Sequence, residues 1–201
     1  MIRKACLTVP TLSAKEGCHE ATTECDAPCR IQALEPAGAP GNSGAMPAPS
    51  LPPGQPREAN GQDMPDLLRL DGAAFPDDPM RNSTLRQLLD MYADHLLVVD
   101  DDDGHLCAYV LATPPYGGES WIFSLGVAPA RRRKGLARAL MTQALEILRA
   151  DEASTVRLWV EPTNEPARAL YESLGFLPDP EGPHLDHFGP GAHRLGMTLK
   201  L

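Results

Sequence analysis

Phenylalanine, tyrosine and tryptophan are absent from residues 1–60, a segment that instead holds nine prolines, most of them in A-G-A-P-G-N-S-G-A-M-P-A-P-S-L-P-P-G-Q-P. Such a segment buries too little apolar surface to offset the entropy of ordering it. Residues 1–59 are therefore predicted to be a disordered or low-complexity extension, and residues 60–201 a single domain with one core. Long hydrophobic runs are missing too, since no stretch approaches the roughly 20 apolar residues that span a bilayer. The start, M-I-R-K-A-C-L-T-V-P, lacks the apolar core of a secretory signal. A cytoplasmic protein with no membrane contact is expected. Positive charge is scarce: 18 Lys and Arg stand against 27 Asp and Glu, a net charge of −9. That excludes an extended nucleic-acid surface, which needs clustered cations over a whole face. Of five cysteines only Cys107 lies beyond residue 60. Cys18, His19, Cys25 and Cys29 are zinc-type ligands, but their spacing matches no common finger and no second paired half follows. They read as free thiols, and no metal is expected.

The remaining pattern is a succession of short elements. D-M-P-D-L-L-R-L-D-G-A-A-F spaces Leu67, Leu68, Leu70 and Phe75 partly as a helix. A second helix starts near Asn82 or Ser83, either able to cap it, and carries Leu85, Leu88, Leu89 and Tyr92. H-L-L-V-V-D-D-D-D-G-H-L-C-A-Y-V-L-A reads as two strands around an acidic turn; the later carboxylate of a calcium loop is missing. W-I-F-S-L-G-V, residues 121–127, is a buried strand. A helix over 132–150 places Leu136, Leu140, Ala144, Ile147 and Leu148 on one face. T-V-R-L-W-V, residues 155–160, is a strand, and a helix over 165–174 opens on Pro166 and stops at Gly175. The tail forms two strands around a long loop. This order predicts a mixed α/β layer whose strand–helix–strand core contains a parallel pair.

Between the strand ending at Val127 and the next helix stands A-P-A-R-R-R-K-G-L-A, with Arg131, Arg132, Arg133 and Lys134 ahead of Gly135. A basic run alone is most simply a solvated helix start. A helix N-terminus, however, presents free N–H groups and the positive end of its dipole, which suits a phosphate or pyrophosphate. Gly135 and Ala137 let an anion approach the backbone, and the neighbouring cations complement it. A nucleotide-type P-loop is excluded, because the lysine precedes the glycine and no Ser or Thr follows to hold magnesium; G-x-G-x-x-G is absent as well.

These residues resemble a known family. R-R-K-G-L-A, residues 132–137, is similar to the Q/R-x-x-G-x-G/A acetyl-CoA signature of the GNAT superfamily of N-acetyltransferases. L-W-V-E-P-T-N-E-P-A-R-A-L-Y-E-S-L-G-F, residues 158–176, resembles that family's second half, L-x-V-x-x-x-N-x-x-A-x-x-L-Y-x-x-x-G-F. The resemblance is clear over 120–176 and extends back to about residue 60. It implies a mixed, mostly antiparallel sheet with a central splayed parallel pair and flanking helices. It further implies that acetyl-CoA is the co-substrate, with its pyrophosphate held by the backbone of Arg132, Arg133, Lys134, Gly135, Leu136 and Ala137. The pantetheine arm would pair with Leu125, Gly126 and Val127, and Asn164 would help hold it. Tyr171 matches the tyrosine that protonates the departing thiolate.

The implied function is transfer of an acetyl group to a primary amine by direct attack. At pH 7 only about one lysine-like amine in 2,500 is neutral, a handicap of roughly 4.6 kcal/mol, so a base is needed. Glu119 is the candidate, with Glu161 or water as alternatives; Glu119 also reads as a polar loop residue after Gly117 and Gly118. The loop with His184, Asp186, His187 and His193 is either a wall of the acceptor site or a solvated turn. The competing reading is a GNAT-like sensor that binds CoA or acyl-CoA without turnover. Monomer and homodimer are both compatible with the sequence. The family's opening strand falls either at M-I-R-K-A or at G-Q-P-R-E-A-N, residues 54–60, with the former the better match by apolar content.

Overall fold

The structure, a computed structural model, describes residues 54–201. Residues 1–5 and the cysteine–histidine group from Cys18 to Cys29 lie outside the described residues. A seven-stranded sheet runs in the order β1-β2-β3-β4-β5-β7-β6. Its strands are β1 (Pro56–Glu58), β2 (Leu96–Asp100), β3 (Leu106–Ala112), β4 (Glu119–Val127), β5 (Thr155–Val160), β6 (Leu177–Pro178) and β7 (Leu195–Lys200). All neighbours are antiparallel except β4 and β5. The edge strand β1 pairs with β2 through Pro56↔Val99 to Glu58↔Leu97, so the sheet begins ahead of residue 60 despite the low apolar content there. An edge position tolerates this composition, because Pro56 has no N–H to give and one side of the strand faces no partner strand. Arg57 fixes the edge by ion pairs to Asp63 at 2.8 Å and Asp100 at 2.7 Å.

Helices α1 (Met64–Ala74) and α2 (Asn82–Tyr92) cover one face of the sheet, and α3 (Leu136–Ala150) and α4 (Glu165–Ser173) the other. Leu85, Leu88 and Leu89 are buried at helical spacing in α2. The cap expected at Asn82 or Ser83 does not form; Arg81 is the N-cap and gives no side-chain hydrogen bond, since Asn82 and Ser83 are already helical. In α3 the buried face is Leu140, Met141, Ala144, Leu145 and Leu148. This helix begins at Leu136, four residues later than predicted. Arg133 at φ 62° and Gly135 at φ 83° lie in the left-handed region, which a right-handed helix cannot include.

The parallel pair is short. It runs from Glu119↔Thr155 to Ile122↔Leu158 and then stops, while β4 stays paired with β3 as far as Val127↔Ala108. At the same point β4 carries a bulge: Ile122 pairs with Ala112 and Ser124 with Leu111, leaving Phe123 without an opposite residue. A bulge bends its strand and shifts the facing of the residues beyond it. Phe123 accordingly packs with α1 and α2, whereas Leu125 packs with α3 and α4. Beyond the bulge, β4 and β5 diverge, and the β4 edge from Phe123 to Val127 has no strand partner on that side.

Tyr109 of β3 fixes β4 from the α1 side. Its hydroxyl donates to Asp71 Oδ1 at 2.7 Å and shares a hydrogen bond with Ser124 Oγ at 2.8 Å. Burial, together with the Asp71 carboxylate, holds this phenol protonated well above its ordinary range. A Cβ at Gly126 would stand 2.5 Å from Cε1 of the Tyr109 ring. Because the hydroxyl tethers the ring, G126A is expected to cost about 1–3 kcal/mol in chemical denaturation. A loss within about 0.5 kcal/mol would mean that the ring yields freely.

Candidate functional site

A cleft of about 590 Å³ opens where β4 and β5 diverge. Its floor is Leu125, Gly126 and Val127 at the end of β4; one end is the loop and first turn of α3, with Arg132, Arg133, Gly135, Leu136 and Ala137. Asn164, Pro166, Ala167 and Leu170 of α4 form the opposite wall. Nine of the ten residues assigned to cofactor binding from the sequence thus line one cavity. Lys134 does not; its side chain is exposed outside the lining.

The chemistry of the cleft arises from local backbone geometry. The first intrahelical bond of α3 runs from the Ala139 N–H to the Gly135 carbonyl at 3.0 Å. The N–H groups of Leu136, Ala137 and Arg138 therefore have no intrahelical acceptor, and they carry the positive end of the helix dipole. Gly135 adopts φ 83°, with no atom within 4 Å of a Cβ placed there, so the approach to these donors is open. Arg132 Nε donates to the Val127 carbonyl at 3.3 Å, tying the basic loop to the end of β4. Arg131 also lines the cleft, but its guanidinium pairs with Asp101 at 3.1 Å and Asp102 at 3.8 Å, so the acidic turn between β2 and β3 neutralises the first cation of the run. Asn164 is the N-cap of α4, its side chain accepting from the Ala167 N–H at 3.3 Å, and it lines the cleft at the same time.

The catalytic candidates are placed differently. Tyr171 is fully buried on the inner face of α4, its ring 5.8 Å from Phe176, one residue beyond the cleft-lining Leu170 but not itself on the wall. Its hydroxyl is buried with no hydrogen-bond partner, and burial pushes its pKa well above the ordinary phenol value. Unpaired buried hydroxyls are uncommon and ask for a reason. Glu119 is the first residue of β4, six residues and about 20 Å of strand from Leu125. Its carboxylate pairs with Arg157 Nε at 3.1 Å and accepts from Trp121 Nε1 at 3.1 Å. The structure does not bring Glu119 to the cleft, because strand length separates it from the point where β4 and β5 part. Glu161, just after β5, does not line the cleft either.

Several cleft residues escaped the sequence reading. Ala74 and Phe75 reach it from the end of α1, a contact across the chain that no local pattern reveals. Arg138 lines it and donates to Ser173 Oγ at 2.7 Å, bridging α3 and α4; its signal was its position directly after the glycine-bearing turn. Among the described residues no group of three or more His, Cys, Asp or Glu side chains could hold a metal ion, and no helix is long and apolar enough to cross a membrane.

Comparison with known proteins places this geometry in a family. The family model described as acetyltransferase (GNAT) family matches residues 62–176. A mycothiol acetyltransferase from Beutenbergia cavernae is 38% identical over 156 residues, which is 72% of this chain and 52% of that one. The chain spans about half the length, or less, of the curated relatives it matches. The ribosomal-protein-S18-alanine N-acetyltransferase from Escherichia coli shares the fold, with a TM-score of 0.63 at 23% identity, over 73% of this chain and 92% of that one. A phosphinothricin acetyltransferase from Sinorhizobium meliloti, in complex with AcCoA, superposes with a TM-score of 0.63 at 18% identity, over 73% and 88% of the two chains. With its sheet order, its diverging parallel pair and the family model spanning more than half of its length, the chain belongs to the GNAT family of acetyltransferases.

Proposed function

We propose that the chain is an acetyl-CoA-dependent N-acetyltransferase that acylates a primary amine. The observation that carries this reading is the cleft at the β4–β5 divergence, which joins an unpaired strand edge to the open N-terminus of α3. The residues present fit the cofactor. A diphosphate suits the N–H groups of Leu136, Ala137 and Arg138 with Arg132 and Arg133 beside them. An amide-bearing arm suits the free edge from Leu125 to Val127, as an added strand would. The orphaned Tyr171 hydroxyl has an unmet need for a partner.

When bound, acetyl-CoA supplies the thioester electrophile. The chain's own residues orient it and manage charge: the α3 turn anchors one end, Asn164 and the β4 edge fix the arm, and Tyr171 supplies a hydrogen-bond donor and proton for the leaving sulfur. Curated relatives carry the name mycothiol acetyltransferase, so amines related to mycothiol are one acceptor class to assay, beside peptide amines.

The test is calorimetry with acetyl-CoA in chelator-treated buffer, followed by thiol release on an amine panel. Binding without metal is expected, together with thiol release dependent on an amine. Absence of binding would overturn the assignment; binding with no turnover on any amine would favour a sensor.

A further inference from the structure

The face of the sheet opposite α3 and α4 carries a group of aromatic and imidazole side chains outside the cleft. Trp121 of β4 and Trp159 of β5 stack with centroids 6.0 Å apart and planes 28° from parallel. His187 lies over Trp159 at 4.2 Å, and His184 meets the same ring edge-on at 5.1 Å. Phe188 backs His187 at 4.6 Å. The location is specific. Trp159 is the first β5 residue past the last β4–β5 pair, so its ring stands at the lip of the fork. It packs against the same cluster as Phe123, the bulged residue, and Phe75, which also lines the cleft.

We propose that this group is the acceptor site, in which a ring-bearing primary amine lies on the Trp121–Trp159 shelf and His187 takes its proton. This rests on the acetyltransferase reading above. A half-buried, stacked tryptophan pair at a reaction fork favours a substrate with a flat face, aromatic or sugar, next to its amine. His187 is exposed and can return the proton to solvent. Burial, with the nearby His184 and Arg194, lowers its pKa below the ordinary 6.5, so the ring is neutral and able to accept a proton at pH 7. On this loop and face Asp186 pairs with His193 at 3.6 Å, and Asp179 accepts from Thr198 Oγ1 at 2.9 Å. Glu119, which accepts from Trp121 Nε1 at 3.1 Å, pairs with Arg157 at 3.1 Å; Glu181 is the remaining carboxylate of the loop.

The ammonium gives one proton to the His187 imidazole, and the freed lone pair forms the C–N bond to the thioester carbonyl. The C–S bond breaks, the second amine proton is lost, and the thiolate takes up one proton. One acetamide, one thiol and one solvent proton result.

The chain holds only two tryptophans, both in this shelf, so its intrinsic fluorescence reports on the site without turnover. In the full chain, phenethylamine and glucosamine are titrated as aromatic and sugar probes, with n-hexylamine as the unringed control. A ring amine is expected to change the emission at about three- to tenfold lower concentration than n-hexylamine, and W159L to erase that preference. Emission of the free protein should also titrate with a midpoint below 6.5 that H187N removes and H184N retains. With the preferred amine and acetyl-CoA, H187N should lower kcat/KM by about 10²–10⁴-fold and remove the acidic limb of its pH profile, leaving the calorimetric affinity for acetyl-CoA unchanged. Equal response to all three amines, or an unaltered pH profile in H187N, overturns this proposal while acetyl-CoA binding still supports the wider one. Binding of acetyl-CoA with no acylation of any probe overturns it too.

Discussion

Replacing Tyr171 by Phe is expected to cut amine-dependent thiol release by about 10²–10⁴-fold without weakening acetyl-CoA binding. The ring stays, so its packing against Phe176 and the α3–α4 core stays as well. Only the hydroxyl goes, and that hydroxyl has no protein partner to lose. An unpaired buried polar group costs about 1–3 kcal/mol, so Y171F should match or exceed the wild type in thermal stability. A tyrosine kept for structure behaves in the opposite way, losing stability with its hydrogen bond. For unperturbed groups, handing a proton from phenol to thiolate is uphill by about 2 kcal/mol. Burial raises the Tyr171 pKa further, but a thiolate formed beside it is desolvated too, and its own affinity for the proton rises with it. The difference between the two therefore governs the step, and a donor with no competing partner is set to follow it. A fall of less than about threefold would assign Tyr171 to the core alone.

The features legible in the sequence divide from the rest along a physical line. Elements written in local periodicity were readable: the buried face of α2, the centre of the α3 face at Leu140, Ala144 and Leu148, the acidic turn between β2 and β3, and the opening of α4 at Pro166 stand where the pattern put them. Met141 and Leu145, however, are buried in α3 where Leu136 and Ile147 are only partly so. The basic end of the cleft was readable for the same reason, since one short stretch, residues 131–138 apart from Lys134, lines it. Elements fixed by partners were not. By sequence, residues 54–60 are only the less apolar of two places for the opening strand. Pro56–Glu58 is a strand because β2 offers it an edge and Asp63 and Asp100 hold Arg57, and neither fact shows in its composition. Glu119 is close in sequence to the cleft residues of β4, but an extended strand covers about 3.3 Å per residue and leaves it outside the cleft, hydrogen-bonded to Trp121. Conversely Trp159, Trp121 and His187 come together only through the β4–β5 pairing and the folding back of the loop before β7. The bulge at Phe123, which turns Leu125 toward the cleft, also has no signal in W-I-F-S-L-G-V.

The second large effect is expected at Gly135. G135V should abolish acetyl-CoA binding, and two separate causes can be told apart. The backbone there sits at φ 83°, where a β-branched residue is strained by about 1–3 kcal/mol, so the variant should also lose stability. Contact inside the protein adds nothing to this, because no atom lies within 4 Å of the new Cβ. That same open space is the approach to the N–H groups of Leu136 and Ala137. Charge-assisted hydrogen bonds are worth about 1.5–3 kcal/mol each, and losing two of them weakens binding by more than about 100-fold. G135N separates strain from occlusion, since asparagine tolerates the left-handed region that valine does not. If occlusion matters, G135N keeps most of the wild-type stability in denaturation and still binds acetyl-CoA far more weakly in calorimetry. If G135N binds as the wild type does and G135V fails only in step with its lost stability, the turn ahead of α3 shapes the fold and the diphosphate is held elsewhere.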